Sequence, residues 1–351
     1  MGFTLSESNA VAYLAGCGLI TPAVARTATA QSLGGGVSNV VVRVDARGEP
    51  GGLVLKQSLP RLRVEQEWLA DRERIYHEAA SLQYLAKVLP ASALPKVVLE
   101  DRPNYLFVMS SAPPEGVNWK DALLAGNVDP AVAVQVGALL GRIHRHSSVT
   151  DDRIPEGLEQ FADQHCFVQL RIDPYHRATA AVHPDLANDI EIEAQRMLNR
   201  RLALVHGDYS PKNVIVVGSG AAAEAFLLDF EVAHLGNPVF DLAFMLNHLT
   251  LKAIHQPRLA GEYNAAARSF WSAYLDNAGA FAADPARFER ETVRQLGALL
   301  LARIDGKSPA EYITGDHQKQ QARNLAKGIL SGATAYLHQL HDALMTLAPA
   351  K

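Results

Sequence analysis

The stretch that decides the fold is His206-Gly207-Asp208-Tyr209-Ser210-Pro211-Lys212-Asn213. It follows one short apolar run and precedes a β-branched run, so we expect a loop between two strands. Asp208 and Asn213 are five residues apart, and Asp229 follows Asn213 by sixteen residues at the end of a third apolar run. Because carboxylate and amide oxygens are the ligands that Mg²⁺ prefers, this set indicates a site that handles Mg²⁺-bound phosphates.

The spacing of these residues is that of the protein-kinase catalytic loop. There the Asp accepts the proton of the attacking hydroxyl, while the Asn and a later Asp hold Mg²⁺. The resemblance implies that Asp208 is the catalytic base and that Asn213 and Asp229 are catalytic metal ligands. Each residue alone would be interpreted as an ordinary turn or strand-end residue; the shared order, spacing and strand context favour the catalytic interpretation.

The N-terminal part supplies the other elements that a kinase needs. A glycine cluster, Gly34-Gly35-Gly36-Val37-Ser38-Asn39, leads into a β-branched run, and Lys56 ends the next apolar strand. Glu78 lies on the helix predicted at residues 71–87. In kinases a glycine-rich hairpin covers the phosphates, and a strand Lys pairs with a helix Glu. We therefore expect ATP to be bound by Gly35, Gly36, Ser38, Asn39, Lys56 and Glu78, with Lys56 also catalytic.

The strand at residues 105–109 ends where a kinase would connect its two lobes. We expect Met109 and Ser111 to present backbone groups to adenine, although an ordinary strand end would have the same sequence. The pattern predicts an α+β, protein-kinase-like bilobal fold. Its small β-rich nucleotide-binding N-lobe spans residues 1–112. Its large, mostly helical C-lobe at residues 113–351 carries the catalytic loop, the metal ligands and the acceptor site, with ATP between the lobes.

The His-Gly-Asp at the start of the loop resembles the aminoglycoside phosphotransferase and choline kinase superfamily, where protein kinases have His-Arg-Asp. Glu231 stands where protein kinases have the glycine of Asp-Phe-Gly. The resemblance covers nearly the whole chain and implies a small-molecule kinase that uses ATP and Mg²⁺ and phosphorylates an alcohol group. It also implies that Asp241 braces the catalytic loop; alone, this residue would equally be a first-turn helix acid.

Three segments resemble the 5-methylthioribose kinase family more closely. They are Thr4-Leu5-Ser6-Glu7-Ser8-Asn9-Ala10-Val11-Ala12-Tyr13-Leu14, Leu55-Lys56-Gln57-Ser58-Leu59-Pro60 and Ala302-Arg303-Ile304-Asp305-Gly306. This resemblance implies that Glu231 belongs to an Asp-x-Glu metal signature. It also implies that Arg303 lines the acceptor pocket with Asp208 and Glu231. The chain differs from the His-Gly-Asp-Leu-His-Thr-Gly-Ser and Asp-Pro-Glu-Phe-Ala patterns of that family.

The composition excludes several other classes of protein. The net charge is −4 over 351 residues, without a run of Lys or Arg, so no nucleic-acid partner is expected. The two cysteines have no metal-ligand spacing. Neither a membrane-length apolar run nor a signal-like start is present, so we expect a cytoplasmic protein without a membrane partner. The expected partner is a small-molecule alcohol; the oligomeric state, including a homodimer, stays open.

The preferred interpretation is a kinase that phosphorylates a small, sugar-like alcohol, and three alternatives stay open. The first is a genuine 5-methylthioribose kinase. The second is an aminoglycoside-type antibiotic kinase, because residues 151–200 hold ten acids against five arginines and would attract a cationic substrate. The third is an inactive, nucleotide-binding pseudokinase, against which the intact Lys56, Asp208, Asn213 and Asp229 argue.

Overall fold

The chain is described here as a computed structural model in which two compact units can be distinguished. The first comprises Met1–Gly116 and Phe226–Val232, and the second comprises Val117–Ala225 and Ala233–Lys351. The end of the long first segment lies close to the lobe boundary predicted at residue 112; the roles assigned to the two lobes stay predictions. The structure describes residues 3–34, 38–46, 52–61, 71–150 and 153–347.

The first unit is built on a five-stranded antiparallel sheet of order β1-β2-β3-β5-β4. The β-branched run predicted as a strand forms β2, and Lys56 lies on the central strand β3 opposite Val41 and Phe107. A residue on a central strand is held from both sides, so Lys56 has a fixed backbone position. The elements are α1 Glu7–Gly16, α2 Pro22–Ala25, β1 Thr29–Ser32, β2 Asn39–Asp45, β3 Leu53–Ser58, α3 Arg74–Leu85, β4 Val97–Asp101 and β5 Leu106–Ser110, with 3₁₀ turns at Ala91–Ala93 and Arg102–Asn104.

Helix α1 packs its apolar side on this sheet. Ala10 and Leu14 are fully buried in a core with Val42 and Leu55. The helix begins at Glu7 and its cap is Ser6, whose backbone N–H donates to Asn9 Oδ1 at 2.9 Å. Asn9 takes the place that Glu or Gln has in a capping box, because its amide oxygen accepts the same bond.

The second unit is mostly helical. The apolar side chains along one side of helix α5, Pro130–His146, are buried. Asp129 caps this helix by accepting a hydrogen bond from the Ala131 N–H at 2.9 Å. Helix α10 packs closely along α5, where Gly137 and Gly141 face its backbone. The helices are α4 Trp119–Leu124, α5 Pro130–His146, α6 His165–Phe167, α7 Ala178–Val182, α8 Ala187–Asn199, α9 Val239–His255, α10 Ala260–Asn277, α11 Pro285–Asp305, α12 Asp316–Leu330 and α13 Leu337–Met345.

Short strands surround the predicted catalytic loop. Strand β7 precedes it and pairs antiparallel with β10, with Val205 opposite His234. Strand β8 follows it and pairs antiparallel with β6. The strand predicted up to Asp229 ends at Leu227, so Asp229 lies beyond it. The strands are β6 Val117–Asn118, β7 Ala203–Val205, β8 Val214–Val217, β9 Glu224–Leu227 and β10 His234–Gly236. Phe226 and Leu227 at the end of β9 are assigned to the first unit. 3₁₀ turns lie at Glu159–Ala162, Pro211–Asn213, Gly220–Ala222, Pro257–Leu259 and Gly279–Ala282.

One element of the second unit has no clear signal in the sequence. Val168–Arg177 forms a π-helix that contains Pro174 and leads directly into α7. Arg171 and Tyr175 are among its six buried residues. Wide helical turns of this kind occur frequently at functional sites, and this one contributes to the site described next.

Candidate active site

Asp208 lies in the loop between β7 and β8 and is 4% exposed. Its Oδ2 is 3.1 Å from Arg171 Nη2 and 3.0 Å from Lys212 Nζ. Asn213 Nδ2 donates to the same oxygen at 3.0 Å and to the Asp208 carbonyl at 2.9 Å. Two cations and one amide therefore orient the carboxylate and favour its ionised form, as a base that accepts a hydroxyl proton requires.

Asp241 holds the backbone at the start of the loop that contains Asp208. This carboxylate is fully buried near the start of α9. Its two oxygens accept the backbone N–H groups of His206 at 2.7 Å and Gly207 at 2.9 Å. His144 Nε2 lies 3.2 Å from Asp241 Oδ2, and the other ring nitrogen lies 3.1 Å from the Tyr274 hydroxyl. The bracing role expected for Asp241 is confirmed by these bonds.

Arg303 is near the C-terminal end of α11 and is 8% exposed. Its Nη1 donates to the Ser308 carbonyl, to Ser308 Oγ at 2.8 Å and to the Tyr175 hydroxyl at 3.4 Å. The guanidinium carbon of Arg171, which holds Asp208, lies 5.6 Å from the ring centroid of the same tyrosine. Tyr175 thus connects Arg303 to the residue that orients the predicted base. The role of Arg303 towards an acceptor stays a prediction.

In the first unit, the structure brings Lys56, Glu78 and Asp229 together. Lys56 Nζ lies 2.5 Å from Glu78 Oε2 and 2.5 Å from Asp229 Oδ1. Burial alone would lower the pKa of Lys56, but the neighbouring carboxylates outweigh burial and raise the pKa above its ordinary value. Burial raises the pKa of Glu78, and Lys56 opposes that shift. Lys56 is therefore a permanent positive charge that can bind phosphate oxygens.

Asp229 has a backbone conformation that few residues adopt. Its φ angle is 69°, in the left-handed region, where Asp is tolerated better than most side chains. Its side chain is 24% exposed, whereas the side chains of Lys56 and Glu78 are 6% and 1% exposed. Such strained backbone clusters at functional sites. The most accessible carboxylate of this cluster is thus the predicted metal ligand.

Glu231 is buried and accepts hydrogen bonds from three side chains of the first unit. It accepts bonds from Ser38 Oγ at 2.7 Å, Asn39 Nδ2 at 2.8 Å and Arg74 Nε at 3.2 Å. Arg74 is fully buried and also donates to the carbonyls of Ser38 and Leu59. Glu231 therefore fastens the end of the glycine cluster to the start of α3. Its roles in metal and acceptor binding stay predictions, and either would have to replace these bonds.

The other predicted nucleotide contacts are placed only in part. Gly35 and Gly36 lie outside the described residues. Met109 is buried on β5, opposite Val54. The Ser111 N–H donates to the Gly52 carbonyl at 3.1 Å, so adenine would have to use the carbonyl or side chain of Ser111. These contacts stay predictions.

Each of the two units holds one residue whose donor chemistry suits Mg²⁺, Asp229 in the first and Asn213 in the second; that they hold one ion together stays a prediction. Mg²⁺ is usually held by one or two carboxylates together with phosphates and water. Asp229 supplies an accessible carboxylate, and Asn213 donates through its amide nitrogen, which leaves its oxygen for a cation. Among the described residues, no three His, Cys, Asp or Glu side chains gather into a metal-binding group.

The sequence interpretation missed three cations of these clusters. Lys212 was part of the quoted stretch, four residues after Asp208, a spacing that one 3₁₀ turn makes adjacent. Arg74 follows a charged run before α3 and has no distinguishing signal. Arg171 lies in the π-helix, 37 residues before Asp208, where only the fold could show its proximity.

Solved structures confirm the predicted class of fold, which is protein-kinase-like. A choline/ethanolamine kinase family protein from Mesorhizobium loti has a TM-score of 0.54 at 16% identity, covering 96% of this chain and 98% of that one. A microcompartment-associated aminopropanol kinase has a TM-score of 0.53 at 19% identity, covering 94% and 98%. At these identities the likeness concerns the fold alone.

Sequence comparison identifies the family. Residues 29–278 match the phosphotransferase enzyme family APH, and the chain belongs to this family. It is 28% identical to Methylthioribose kinase 2 of Oryza sativa subsp. japonica over 293 residues, 74% of this chain and 66% of that protein. It is 25% identical to Methylthioribose kinase of Yersinia pseudotuberculosis serotype O:1b, covering 75% and 69%. The chain therefore spans slightly less than two thirds of the rice relative. No helix in the described residues is long and apolar enough to cross a membrane.

Proposed function

We propose that this protein is an ATP-dependent phosphotransferase that moves the γ-phosphoryl group of ATP to a hydroxyl of a small alcohol. The observation that carries the proposal is the environment of Asp208, whose carboxylate is oriented by Arg171, Lys212 and Asn213 on a loop braced by Asp241. Family membership supports the same reaction. The predicted cytoplasmic location stays a prediction.

In this mechanism Asp208 orients the acceptor hydroxyl and accepts its proton as the oxygen attacks phosphorus. Lys56 binds phosphate oxygens, and Glu78 and Asp229 keep its ammonium group in place. Asn213 and Asp229 would hold Mg²⁺, which neutralises charge on the transferring phosphate. Glu231 positions Ser38 and Asn39 at the end of the glycine cluster.

A second candidate is the narrower activity of a 5-methylthioribose kinase. The named relatives favour it, and so do the three sequence segments given above. The differing residues next to Asp208, from Tyr209 to Asn213, leave the acceptor open. The acceptor panel described below includes 5-methylthioribose for this reason.

The acids that suggested the antibiotic-kinase alternative are in part paired with cations. Asp173 pairs with Arg177 at 2.6 Å and Asp185 with Lys327 at 3.0 Å. Arg294 likewise pairs with two acids of α8 at 2.6 and 2.7 Å. Paired carboxylates at a surface attract a cationic substrate only weakly.

The proposal is tested by measuring ADP release from Mg·ATP in the presence of a panel of alcohols. The panel contains neutral sugars with 5-methylthioribose, sugar acids, amino alcohols and an aminoglycoside. We expect turnover that needs Mg²⁺ and saturates with at least one alcohol. Nucleotide binding without turnover on any alcohol would favour the pseudokinase alternative and contradict the proposal.

A further inference from the structure

Three buried basic side chains and the partly buried Tyr312 lie close together in the second unit. We call Lys252, Arg303, His248 and Tyr312 the basic cluster. Lys252 is on α9 and is 0% exposed, and its Nζ lies 5.1 Å from the ring centroid of Tyr312. Within the part of the chain that the structure describes, neither Lys252 Nζ, Arg303 Nε nor the Tyr312 hydroxyl has a hydrogen-bond partner. Each of these three buried donor atoms thus lacks a hydrogen-bond acceptor.

The charge around Lys252 is predominantly positive. Burial, reinforced by the positive charges of Lys120 and Arg303, lowers the pKa of Lys252 to about 7. The carboxylates of Glu311 and Asp121 oppose this shift, but Glu311 is bonded to Lys120 and 61% exposed at its side chain, and Asp121 is exposed as well. Burial holds the pKa of His248 well below its ordinary value, and the positive charges of Lys252 and Arg303 add to that shift. The described residues therefore supply no buried counter-ion to Lys252.

The basic cluster is connected to the predicted base. Arg303 Nη1 bonds to the Tyr175 hydroxyl, and Arg171 lies over the Tyr175 ring and contacts Asp208. All these residues belong to the second unit. A small molecule whose hydroxyl reaches Asp208 would thus place its other end near Arg303. The cluster also approaches the surface, because the side chain of its neighbour Lys120 is 30% exposed.

We infer that the acceptor is a small alcohol that carries an acid group, a carboxylate or a phosphate, and that the basic cluster binds this group. A buried ammonium without a partner is costly, and an anion from the ligand would supply the missing charge and acceptors. The guanidinium of Arg303 suits the planar or tetrahedral oxygens of such groups. Cationic acceptors, such as amino alcohols, would meet like charge. This inference rests on the proposed function.

Pairs of neutral and acidic acceptors with similar carbon skeletons test the inferred anion site in the wild-type enzyme. Glycerol is compared with glycerate and glycerol phosphate, and ribose with ribonate and ribose 5-phosphate, in Mg·ATP turnover. We expect kcat/KM to be at least about 10-fold higher for an acid than for its neutral partner, and the two kinds of acid show which group is preferred. Equal or higher kcat/KM for the neutral or the amino alcohols would overturn the inference and leave the proposed function standing.

A binding measurement tests the anion site at the basic cluster separately from the proposed phosphotransferase function. Inorganic phosphate is titrated calorimetrically into the protein with saturating Mg·AMP-PNP, a non-hydrolysable ATP analogue that occupies the nucleotide site. We expect Lys252→Met to weaken phosphate binding about 10-fold or more, because a side chain of similar length removes only the charge. Lys87→Met, at an exposed position of the first unit, should leave it unchanged.

The outcomes of this titration are distinct from those of the turnover assay. Equal phosphate affinity in wild type and Lys252→Met, or no phosphate binding by the wild type, would overturn the inference even if turnover is found. Loss of binding in Lys252→Met supports the anion site even if no alcohol is turned over, in which case the proposed function fails. If Lys252→Met does not fold, the matched acceptors still decide.

Discussion

At the scale of single residues, the carboxylates of Asp229 and Glu231 lie in different surroundings. Asp229 is partly exposed, paired with Lys56 and held at a positive φ, whereas Glu231 is buried and bonded to Ser38, Asn39 and Arg74. The sequence analysis placed Asp229 at the metal from its spacing after Asn213, and the resemblance to 5-methylthioribose kinases implied the same for Glu231. It could not show the partners of Glu231, because Ser38 is 193 residues away.

Because their surroundings differ, we expect different consequences when each carboxylate is replaced by an amide of the same shape, in Glu231→Gln and Asp229→Asn. Glu231→Gln removes the negative charge that pairs with the buried Arg74 and should lower the free energy of unfolding by about 3 kcal/mol, measured by urea denaturation. Asp229→Asn keeps the tolerance for positive φ and should lower stability less, but abolish Mg²⁺-supported ATP binding measured by calorimetry. Reversed effects, with Glu231→Gln stable but unable to bind Mg·ATP, would make Glu231 the metal ligand.

At the scale of elements, the helices and strands were largely predictable, whereas their contacts were not. The apolar stripe of α5 and its Asp-Pro start follow from local rules, and so does the burial of Ile75 and Leu82 on α3. The π-helix at Val168–Arg177 was missed because no local pattern distinguishes its wide turns from an α-helix. Arg171, which orients the base, was missed with it.

The contact between α5 and α10 gives a prediction at this scale. A Cβ at Gly137 would lie 2.2 Å from the backbone oxygen of Phe270, so the helices would have to separate. Gly137→Ala should therefore destabilise the protein by about 1–3 kcal/mol despite the better helix propensity of Ala. The measurement is the urea midpoint.

Gly261→Ala is the matched control for this variant. This glycine is exposed on α10 and has no atom within 4 Å of the added carbon, so its substitution should be neutral or stabilise by up to about 1 kcal/mol. Equal midpoints for Gly137→Ala and Gly261→Ala would show that the two helices are not in the tight contact described here.

At the scale of the whole molecule, the class of fold was predictable because the motif residues occur in a fixed order along the chain. The order Lys56, Glu78, Asp208, Asn213 and Asp229 follows the order in which the fold uses these residues. The acceptor was not predictable, because the basic cluster that we propose to bind it, with Lys252, carries no motif. Only the burial of Lys252 and the absence of a protein partner among the described residues draw attention to it.

The central claim is that Asp208 serves phosphoryl transfer to an alcohol, and product analysis of Asp208→Asn tests it most directly. Phosphorus NMR follows ATP, ADP, free phosphate and any new phosphomonoester, with the best acceptor of the panel. We predict a phosphomonoester that forms in step with ADP in the wild type. Asp208→Asn should slow its formation by roughly 10²–10⁴-fold, with the affinity for Mg·ATP changed less than about twofold. Equal rates in mutant and wild type, or free phosphate as the only product, would contradict the account.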